Sequence, residues 1–520
     1  MKKFLLIAVA AMAASALLAN NIVVNHVSLT GNNTSSQYVM VKFDLSWDNS
    51  WRVSVGPSNW DAAWVFIKYR IKGQAIWNHA TLHYTDGSGS GDGHILPAGA
   101  AISSSNDNGT GGAYGVFVYH NSPAGQGSVS YPGTELRWDY GANGVSNADS
   151  VDIRINAVEM VYVPQAAFSV GSGGAESDAF FSYPDTTQPY TITSENSIPV
   201  GPVNGQLYYH NLSGNAGDGA GPIPAAFPKG YKAFYCMKYE ITQDQYTAFL
   251  ATLTVPQANF RLGYLTASMR AFGSLACRNG ITGTTPANVA TSNPFLPCNF
   301  INWFDLTAYL DWSALRPLTE MEYEKACRGT AAPVPNEFAW GSNAVVNYNQ
   351  NTKVITTGNP YTITGSGTTS EGIGSNYSNT GNAYWTNSSV PLGTATFGPL
   401  RAGIFAGNAG NTGRESAGAT FYGIMEMSGN VAEQVVTAGN ADGRAFTGLH
   451  GNGQLGTLGD MDVPNWPYPN PFGMGIRGNG FVAANPLTGL MVSDRSQAAA
   501  NFADFYGQPV VGGRGVRTAP

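Results

Sequence analysis

The sequence predicts a loop-rich α+β protein whose N-terminal region is all β. Only 11% of the 520 residues are charged and 64 are glycine, which is typical of turn-rich β structure rather than of helical bundles. Short runs of alternating polar and apolar residues occupy residues 20–155. Helical signals begin only after residue 240.

Residues 1–19 have the pattern of a secretory signal. Lys2 and Lys3 precede an apolar run from Phe4 to Leu18, which is shorter than the roughly 20 residues of a membrane span. No cysteine follows this run, so we expect no lipid anchor there. We expect a secreted, periplasmic or cell-surface protein with no later transmembrane segment. The net charge of −7 indicates no nucleic-acid partner.

The first predicted domain is a β-sandwich over residues 20–155. Its strand signals are Tyr38–Trp47, Trp64–Ile71, Val116–His120 and Ser150–Asn156, separated by glycine-rich and asparagine-rich turns. A new strand is predicted at Ala157–Pro164, without a linker before it. The second domain is therefore placed at residues 157–520.

Three helices are predicted in the second domain, after a strand at Phe234–Tyr239. The first helix has Thr242 as its N-cap, and the second covers about Trp303–Leu315. The third begins with the capping box Thr319-x-x-Glu322 and ends at Arg328-Gly329. Residues 330–420 are mostly loop.

The four cysteines leave two possibilities. Cys236, Cys277, Cys298 and Cys327 can form two disulfides in an exported chain, with Cys277–Cys298 the favoured pair because these two flank a loop. Alternatively, all four are buried and behave as small apolar side chains.

The segment Tyr422–Glu433 is the first candidate site. It combines Glu426, the turn formers Ser428-Gly429-Asn430 and Glu433. Carboxylates and turn carbonyls are hard oxygen ligands of the kind that Ca²⁺ prefers. In the alternative interpretation, one glutamate caps a helix and the other pairs with an arginine.

Several motifs follow one another in a recognisable order. They are Met160–Pro164, Tyr239–Tyr246, Asn302–Tyr309, Arg316–Gly329, Phe338–Gly341, Tyr422–Glu433, Arg477–Phe481 and Gly513–Arg517. Together they resemble the sulfatase-modifying factor family, which includes the formylglycine-generating enzymes. The resemblance covers about residues 157–520 and implies a C-type-lectin-like α+β fold of low regularity.

The resemblance also implies a structural Ca²⁺ ion. The positions that match the family's ligands are Glu426, the backbone carbonyls of Gly429 and Val431, and Glu433. A second Ca²⁺ site of the family would begin near Asn347.

The catalytic part of the resemblance fails. The enzymes hold Cu(I) with two cysteines, whose matching positions here are Ala483 and Thr488, and no cysteine occurs from residue 477 to residue 520. Thiolates are the soft ligands that Cu(I) selects, so copper is not expected. A related branch binds iron through a histidine pattern on a helical N-terminal domain, and that pattern is lacking here.

We therefore expect a non-catalytic, Ca²⁺-stabilised binding or scaffold protein. Its partner would be a peptide, a glycan or an envelope protein, contacted by residues of the segment 493–517. The candidate contact residues are Asp494, Arg495, Phe505, Tyr506 and Arg514, with Arg517 assigned instead to a buried ion pair. The alternatives are an oxidoreductase with an atypical site and a structural component of the cell surface.

Overall fold

The structure is a computed structural model that is mostly sheet with few helices. It describes residues 21–271, 276–347, 371, 382–383, 397–407, 413–469, 471–482, 487–500 and 507–520. The signal predicted at residues 1–19 lies outside the described residues. Within those residues, no helix is both long enough and apolar enough to cross a membrane.

The N-terminal region consists of ten strands in two facing sheets. They are β1 (Val23–Asn33), β2 (Tyr38–Arg52), β3 (Asp61–Ile71), β4 (Asn78–His79), β5 (Leu82–His83), β6 (Ala100–Ser103), β7 (Gly112–Ala113), β8 (Val116–His120), β9 (Ala124–Trp138) and β10 (Val151–Val163). One sheet has the order β1-β2-β9-β5-β7, and β10-β3-β8-β6 belong to the other, where β4 also pairs with β3. Apolar residues of both sheets fill the space between them. The predicted all-β N-terminal region is confirmed.

The described part of the remaining chain has short strands and five α-helices joined by long loops. Its elements are β11 (Phe168–Val170), β12 (Phe181–Ser182), β13 (Tyr190–Ile192), β14 (Leu207–Tyr208), β15 (Phe234–Met237), α1 (Gln243–Leu250), α2 (Val255–Ala271), β16 (Ile281–Thr282), β17 (Ala290–Thr291), α3 (Trp303–Trp312), β18 (Arg316–Pro317), α4 (Glu320–Arg328), β19 (Val346–Asn347), β20 (Asn382–Ala383), β21 (Ala432–Val436), α5 (Ala441–Arg444), β22 (Met474–Arg477), β23 (Val511–Gly512) and β24 (Gly515–Thr518). The sequence patterns do not predict α2, because this helix has a proline in its first turn, a glycine at its centre and no strongly apolar face.

Local capping chemistry fixes where three helices begin. The side chain of Thr242 accepts a hydrogen bond from the backbone N–H of Gln245, and Thr319 does the same for Glu322, as predicted. Asn302 forms an equivalent capping box at α3, which ends at Trp312 instead of at the predicted Leu315.

Strand β10 joins the two predicted domains into one sheet. It pairs with β3 from Val151 to Val161 and with β15 from Met160 to Val163. The resulting sheet has the order β18-β24-β15-β10-β3-β8-β6. The boundary predicted between residues 155 and 157 therefore lies inside a continuous strand, and the two strands predicted on either side of it are one.

Strand β3 is buried on both faces because each face packs against a different core. Val65 and Ile67 belong to the sandwich core, whereas Trp64 and Phe66 belong to the core that contains α1 and α3. A parallel or antiparallel strand covered on both sides loses the alternating burial of a half-exposed strand. The N-terminal sandwich is thus packed directly onto the rest of the chain.

Buried polar contacts also cross between the two regions. The Trp64 indole donates to the Ser313 carbonyl at 2.8 Å. The Lys238 ammonium lies 3.3 Å from Asp61 of β3 and 3.1 Å from Glu159 of β10, and all three side chains are almost fully buried. A buried charge that loses its partner is costly, so these contacts tie the sandwich to the second region.

The favoured disulfide between Cys277 and Cys298 is wrong for this structure. Both cysteines lie in the described part of the chain and are buried free thiols, as are Cys236 and Cys327. Burial raises the pKa of the Cys236 thiol to about 12 and that of Cys277 to about 11. The alternative of four buried cysteines that act as small apolar side chains describes the structure.

A chain that begins at Val151 should not fold cooperatively. This chain retains β10 but loses β3, so the edge of β10 that pairs with β3 is left without a partner strand. Lys238 also loses its ion-pair partner Asp61. We expect aggregation or a broad thermal transition by circular dichroism, compared with a sharp transition for residues 21–520. A cooperative transition of the shorter chain at the same Tm would show that the sandwich is dispensable for folding.

Candidate functional site

The segment Tyr422–Glu433 forms a tight turn that is fixed from both sides. Gly429 and Asn430 have left-handed backbone conformations, with φ of 96° and 63°. The Asn430 side chain accepts from the Leu400 N–H at 2.9 Å and donates to a carboxylate oxygen of Glu240 at 3.2 Å. The turn predicted at Ser428-Gly429-Asn430 therefore has the backbone conformation that such a sequence favours.

Glu433 forms a buried ion pair with Arg514. Nε of Arg514 lies 2.8 Å and Nη2 2.6 Å from the same oxygen, Oε1, of Glu433, and neither side chain is exposed. Arg514 also donates to the Met425 carbonyl at 3.0 Å. One of the two glutamates therefore pairs with an arginine, as the alternative interpretation of the sequence expected.

Within the described residues, Glu426 is hydrogen-bonded through only one of its carboxylate oxygens. Its Oε1 accepts from the Gly403 N–H at 3.0 Å, immediately before the short 3-10 helix Ile404–Gly407. Its own backbone is left-handed, with φ of 54°, which is uncommon for a residue with a side chain. A constrained backbone thus directs this carboxylate into the interior.

A third buried carboxylate, from Glu240, lies near the other two. Glu240, Glu426 and Glu433 each have a buried Oε2 atom with no hydrogen-bond partner among the described residues. From the sequence, Glu240 is recognised only as part of the helix-entry motif. Its position two residues before the Thr242 N-cap is the one available signal, because the start of the helix fixes the direction of the chain there.

Burial and mutual repulsion act on the three carboxyl groups. Burial raises the pKa of Glu426 to about 7, although the Gly403 N–H and Arg514 oppose this rise. Burial and the nearby Glu426 raise the pKa of Glu240 well above its usual value. The pKa of Glu433 is also raised by burial, against the opposing effect of Arg514.

The charge balance of this cluster favours an added cation or added protons. Among the described basic residues, only Arg514 donates to any of the three carboxylates. Three ionised carboxylates beside one guanidinium would leave two buried negative charges without a direct partner, which is costly. A divalent cation with oxygen ligands would balance them.

The geometry sets a condition on such an ion. Within the described residues, no three His, Cys, Asp or Glu side chains lie close enough together to hold one metal ion. An ion at this turn would therefore need backbone carbonyls as well, and the carbonyls of Gly429 and Val431 stay a prediction for that role. The unpartnered oxygens of Glu426 and Glu433 fit a hard cation in their chemistry.

An ionic network on α4 supports the segments around the turn. Glu320 lies 2.9 Å from Arg477 and 2.7 Å from Arg495, and all three side chains are fully buried. Glu324, one helical turn later, lies 2.9 Å from Arg477 and 3.0 Å from Arg328. Arg477 stands opposite Glu433 in the β21–β22 pairing, so the network adjoins the candidate site.

The predicted ligand-contacting residues lie mainly in the interior. Arg495 is unexposed, and its guanidinium stacks on Phe180 at 3.9 Å besides pairing with Glu320. Arg514 is equally buried, and Asp494 accepts from the Ser496 hydroxyl at 2.6 Å. In this arrangement Arg495 and Arg514 act as structural cations. Their role in ligand contact, like that of Asp494, stays a prediction.

Other predicted positions fall in or beside segments without a description. Phe505, Tyr506 and Ala483 lie outside the described residues. Thr488 begins a short 3-10 helix, Thr488–Leu490. Asn347 lies in β19, which pairs with β20. Arg517, which was assigned to a buried ion pair, pairs with Asp107 of the sandwich.

These features define a loop-rich α+β domain held by buried ion pairs around a glycine-asparagine turn. A comparison with known protein families matches residues 186–464, more than half of the chain, to the sulfatase-modifying factor enzyme 1-like domain. The chain belongs to this family. A search among curated proteins finds no match. The match ends before β22–β24, although these strands pair with elements inside it.

Replacing Glu320 with glutamine should destabilise the protein strongly. The change leaves Arg477 and Arg495 buried with less compensating charge, so we expect a loss of about 3–5 kcal/mol in the free energy of unfolding. Urea denaturation followed by tryptophan fluorescence measures this loss. The exposed Asp442→Asn is the matched control and should change stability by about 0.5 kcal/mol or less. Equal effects of the two changes would contradict a structural role for the network.

Proposed function

We propose that this protein is a non-catalytic member of its family that acts as a binding or scaffold module outside the cytoplasm. It has the C-type-lectin-like fold that the resemblance implies, stabilised by Ca²⁺. Its partner is a peptide, a glycan or a protein of the cell envelope. Membership of the family and the β-rich architecture support the general assignment.

The distribution of thiols supports a non-catalytic role. The positions that match the family's copper-binding cysteines are Ala483 and Thr488. The four cysteines that the chain does contain are buried, and burial raises the pKa of each thiol. The thiolate is the form that binds soft metals and attacks substrates, so these cysteines are poor replacements for a reactive pair.

The three unpartnered carboxylate oxygens are the observation that carries the Ca²⁺ proposal. Glu426 and Glu433 would be ligands together with the carbonyls of Gly429 and Val431, and the nearby Glu240 would add negative charge without being a ligand. The ion would supply positive charge that holds the turn and the adjacent loops in place. A second ion near Asn347 is part of the same proposal.

The proposed role outside the cytoplasm rests on the signal pattern of residues 1–19. The low fraction of charged residues, 11%, and the abundance of glycine suit a surface that recognises polar partners through backbone groups and aromatic rings rather than through charge. Because Arg495 and Arg514 are buried, contacts made by the segment 493–517 would come from its other residues.

Chelation is the test of the ion. Thermal melting of the purified protein in excess Ca²⁺ should give a Tm at least about 2 °C higher than melting in EDTA, since an ion that binds only the folded state stabilises it. Glu426→Gln should remove this difference. It should not lower the Tm in EDTA, because a neutral amide suits a site whose raised pKa already disfavours the charged form.

Glu240→Gln should reduce the difference in Tm between Ca²⁺ and EDTA. The control Asp442→Asn should leave that difference unchanged. Glu433→Gln removes the partner of Arg514 and tests stability rather than ion binding alone. An identical Tm with Ca²⁺ and with EDTA in the unmodified protein would refute the proposed ion.

An oxygen-dependent assay tests the absence of catalysis. The protein should produce no formylglycine when it is incubated with copper, a cysteine-containing peptide and O₂. A formylglycine-generating enzyme treated identically provides the positive control, and the product is measured by mass spectrometry. Formation of product above the protein-free background would instead support the alternative of an oxidoreductase with an atypical site.

A further inference from the structure

A cavity of about 250 Å³ opens where the end of the shared sheet meets two loops. Its floor includes Arg316 of β18 and Phe234 of β15, which both pair with β24. The walls come from the loop around Ala225–Ala233 and from Thr447-Gly448. The volume corresponds to about eight water molecules, which suits a small acid or one terminal residue of a peptide.

Arg316 brings an unsatisfied donor to this cavity. Its Nη1 and Nη2 atoms donate to Glu322 at 2.8 and 2.6 Å, but its buried Nε has no partner among the described residues. Arg316 itself is only 1% exposed. A buried N–H group without an acceptor is costly, so Nε favours an oxygen atom supplied by whatever fills the cavity.

Glycine at position 448 leaves the space beside this donor open. A Cβ atom there would lie 3.8 Å from Nε of Arg316 and only 2.5 Å from Cγ of Pro228. Gly448 also has a left-handed backbone with φ of 71°, which a side chain would strain. The Thr447-Gly448 segment can therefore approach Pro228 of the facing loop closely only because residue 448 is glycine.

The facing loop is held in a fixed shape by its own hydrogen bonds. The Lys229 ammonium donates to the carbonyls of Pro224 and Phe227, at 2.6 and 3.0 Å. The Glu195 carboxylate accepts from the backbone N–H groups of Lys229 and Lys232, at 2.8 and 3.0 Å. A cavity with walls fixed in this way is formed before any ligand arrives, which lowers the entropic cost of binding.

The free hydrogen-bonding capacity of the lining favours a single negative charge. Both carboxylates of the lining already accept hydrogen bonds, Glu322 from Arg316 and Glu195 from the backbone. The exposed Lys232 side chain makes no ion pair in the described part of the chain. The lining thus offers one unbonded N–H of Arg316 and the Lys232 ammonium, while its two cations and two glutamates sum to zero charge. A lining without net charge accommodates a monoanion better than a doubly charged phosphate.

We propose that this cavity binds a carboxylate group, with Nε of Arg316 and the ammonium of Lys232 as its donors. The carboxylate belongs either to a free small acid or to the C-terminal residue of a peptide, since both present the same two oxygen atoms. This site is separate from the turn at Tyr422–Glu433 and does not depend on Ca²⁺.

Isothermal titration calorimetry on the full chain with two matched pairs of probes tests the proposal. The first pair is propionate and propionamide, and the second is the tripeptide Gly-Gly-Ala as free acid and as C-terminal amide. In at least one pair the acid should bind at least about tenfold more tightly than its amide, because only the acid engages both cationic donors. Binding of propionate alone identifies a free acid, and binding of the tripeptide acid alone identifies a peptide terminus.

Two substitutions connect that binding to this cavity. Lys232→Gln, at an exposed side chain, should weaken binding of the acid about tenfold. Ala226→Trp, on the exposed rim, should block entry. Lys72→Gln, outside the cavity, is the matched control and should leave the affinity unchanged. The proposal is refuted if neither acid binds, if acid and amide bind equally, or if Lys232→Gln has no more effect than Lys72→Gln.

Discussion

The fold of the second region depends on two buried glutamates on α4. Glu320 and Glu324 are four residues apart and therefore lie on the same face of the helix. Together they pair with Arg328 of α4 itself and with two arginines from other segments, Arg477 and Arg495. Each of these arginines also donates to a backbone carbonyl. Arg495, for example, donates to the carbonyls of Asp178 and Ala216. The described residues between α4 and β21 include little regular structure, so these ion pairs perform the positioning that a sheet performs elsewhere.

The α4 network imposes a constraint that sheet hydrogen bonds do not. Separating a buried charge from its partner costs several kcal/mol of stability. A loop that supplies an arginine to the network therefore cannot move away without losing stability. The Arg477 guanidinium bridges Glu320 and Glu324 and donates to the Val492 carbonyl. Because Arg477 also ends β22, the strand paired with β21, the network fixes the base of the candidate site.

Local features of this fold could be predicted from the sequence, whereas long-range partners could not. The capping box at Thr319 and Glu322 involves residues three positions apart, and the sequence identifies it fully. The continuity of β10 was missed because its burial changes along its length. Asp152, Ile153 and Arg154 are half-buried, whereas the residues from Ile155 to Val161 are all buried. In the sequence, this change from a half-buried to a fully buried pattern resembles the boundary between two strands. It is explained only by the packing of a separate core on each face of the sheet.

The partners of the buried charged side chains were also beyond the sequence, although a buried ion pair was predicted for Arg517. Arg495 meets a glutamate 175 positions earlier in the chain, and Arg517 meets an aspartate 410 positions earlier. A mixture of arginine and aromatic residues resembles a binding surface when such distant partners are unknown. The cysteines illustrate the same point, because the spacing of Cys277 and Cys298 gives the length of a loop and not the distance between two sulfur atoms.

Arg514 determines how much the turn at Tyr422–Glu433 can depend on an ion. Its guanidinium already compensates Glu433 and donates to the Met237 and Met425 carbonyls, so it holds β15, the turn and the entry to β24 together. Among the described residues, no basic side chain directly compensates the carboxylates of Glu240 and Glu426. An ion would therefore complete a site whose backbone is already held by an arginine. Under this division of roles, removal of the ion would weaken the Glu240 and Glu426 side of the turn, whereas the Glu433 side would retain its partner.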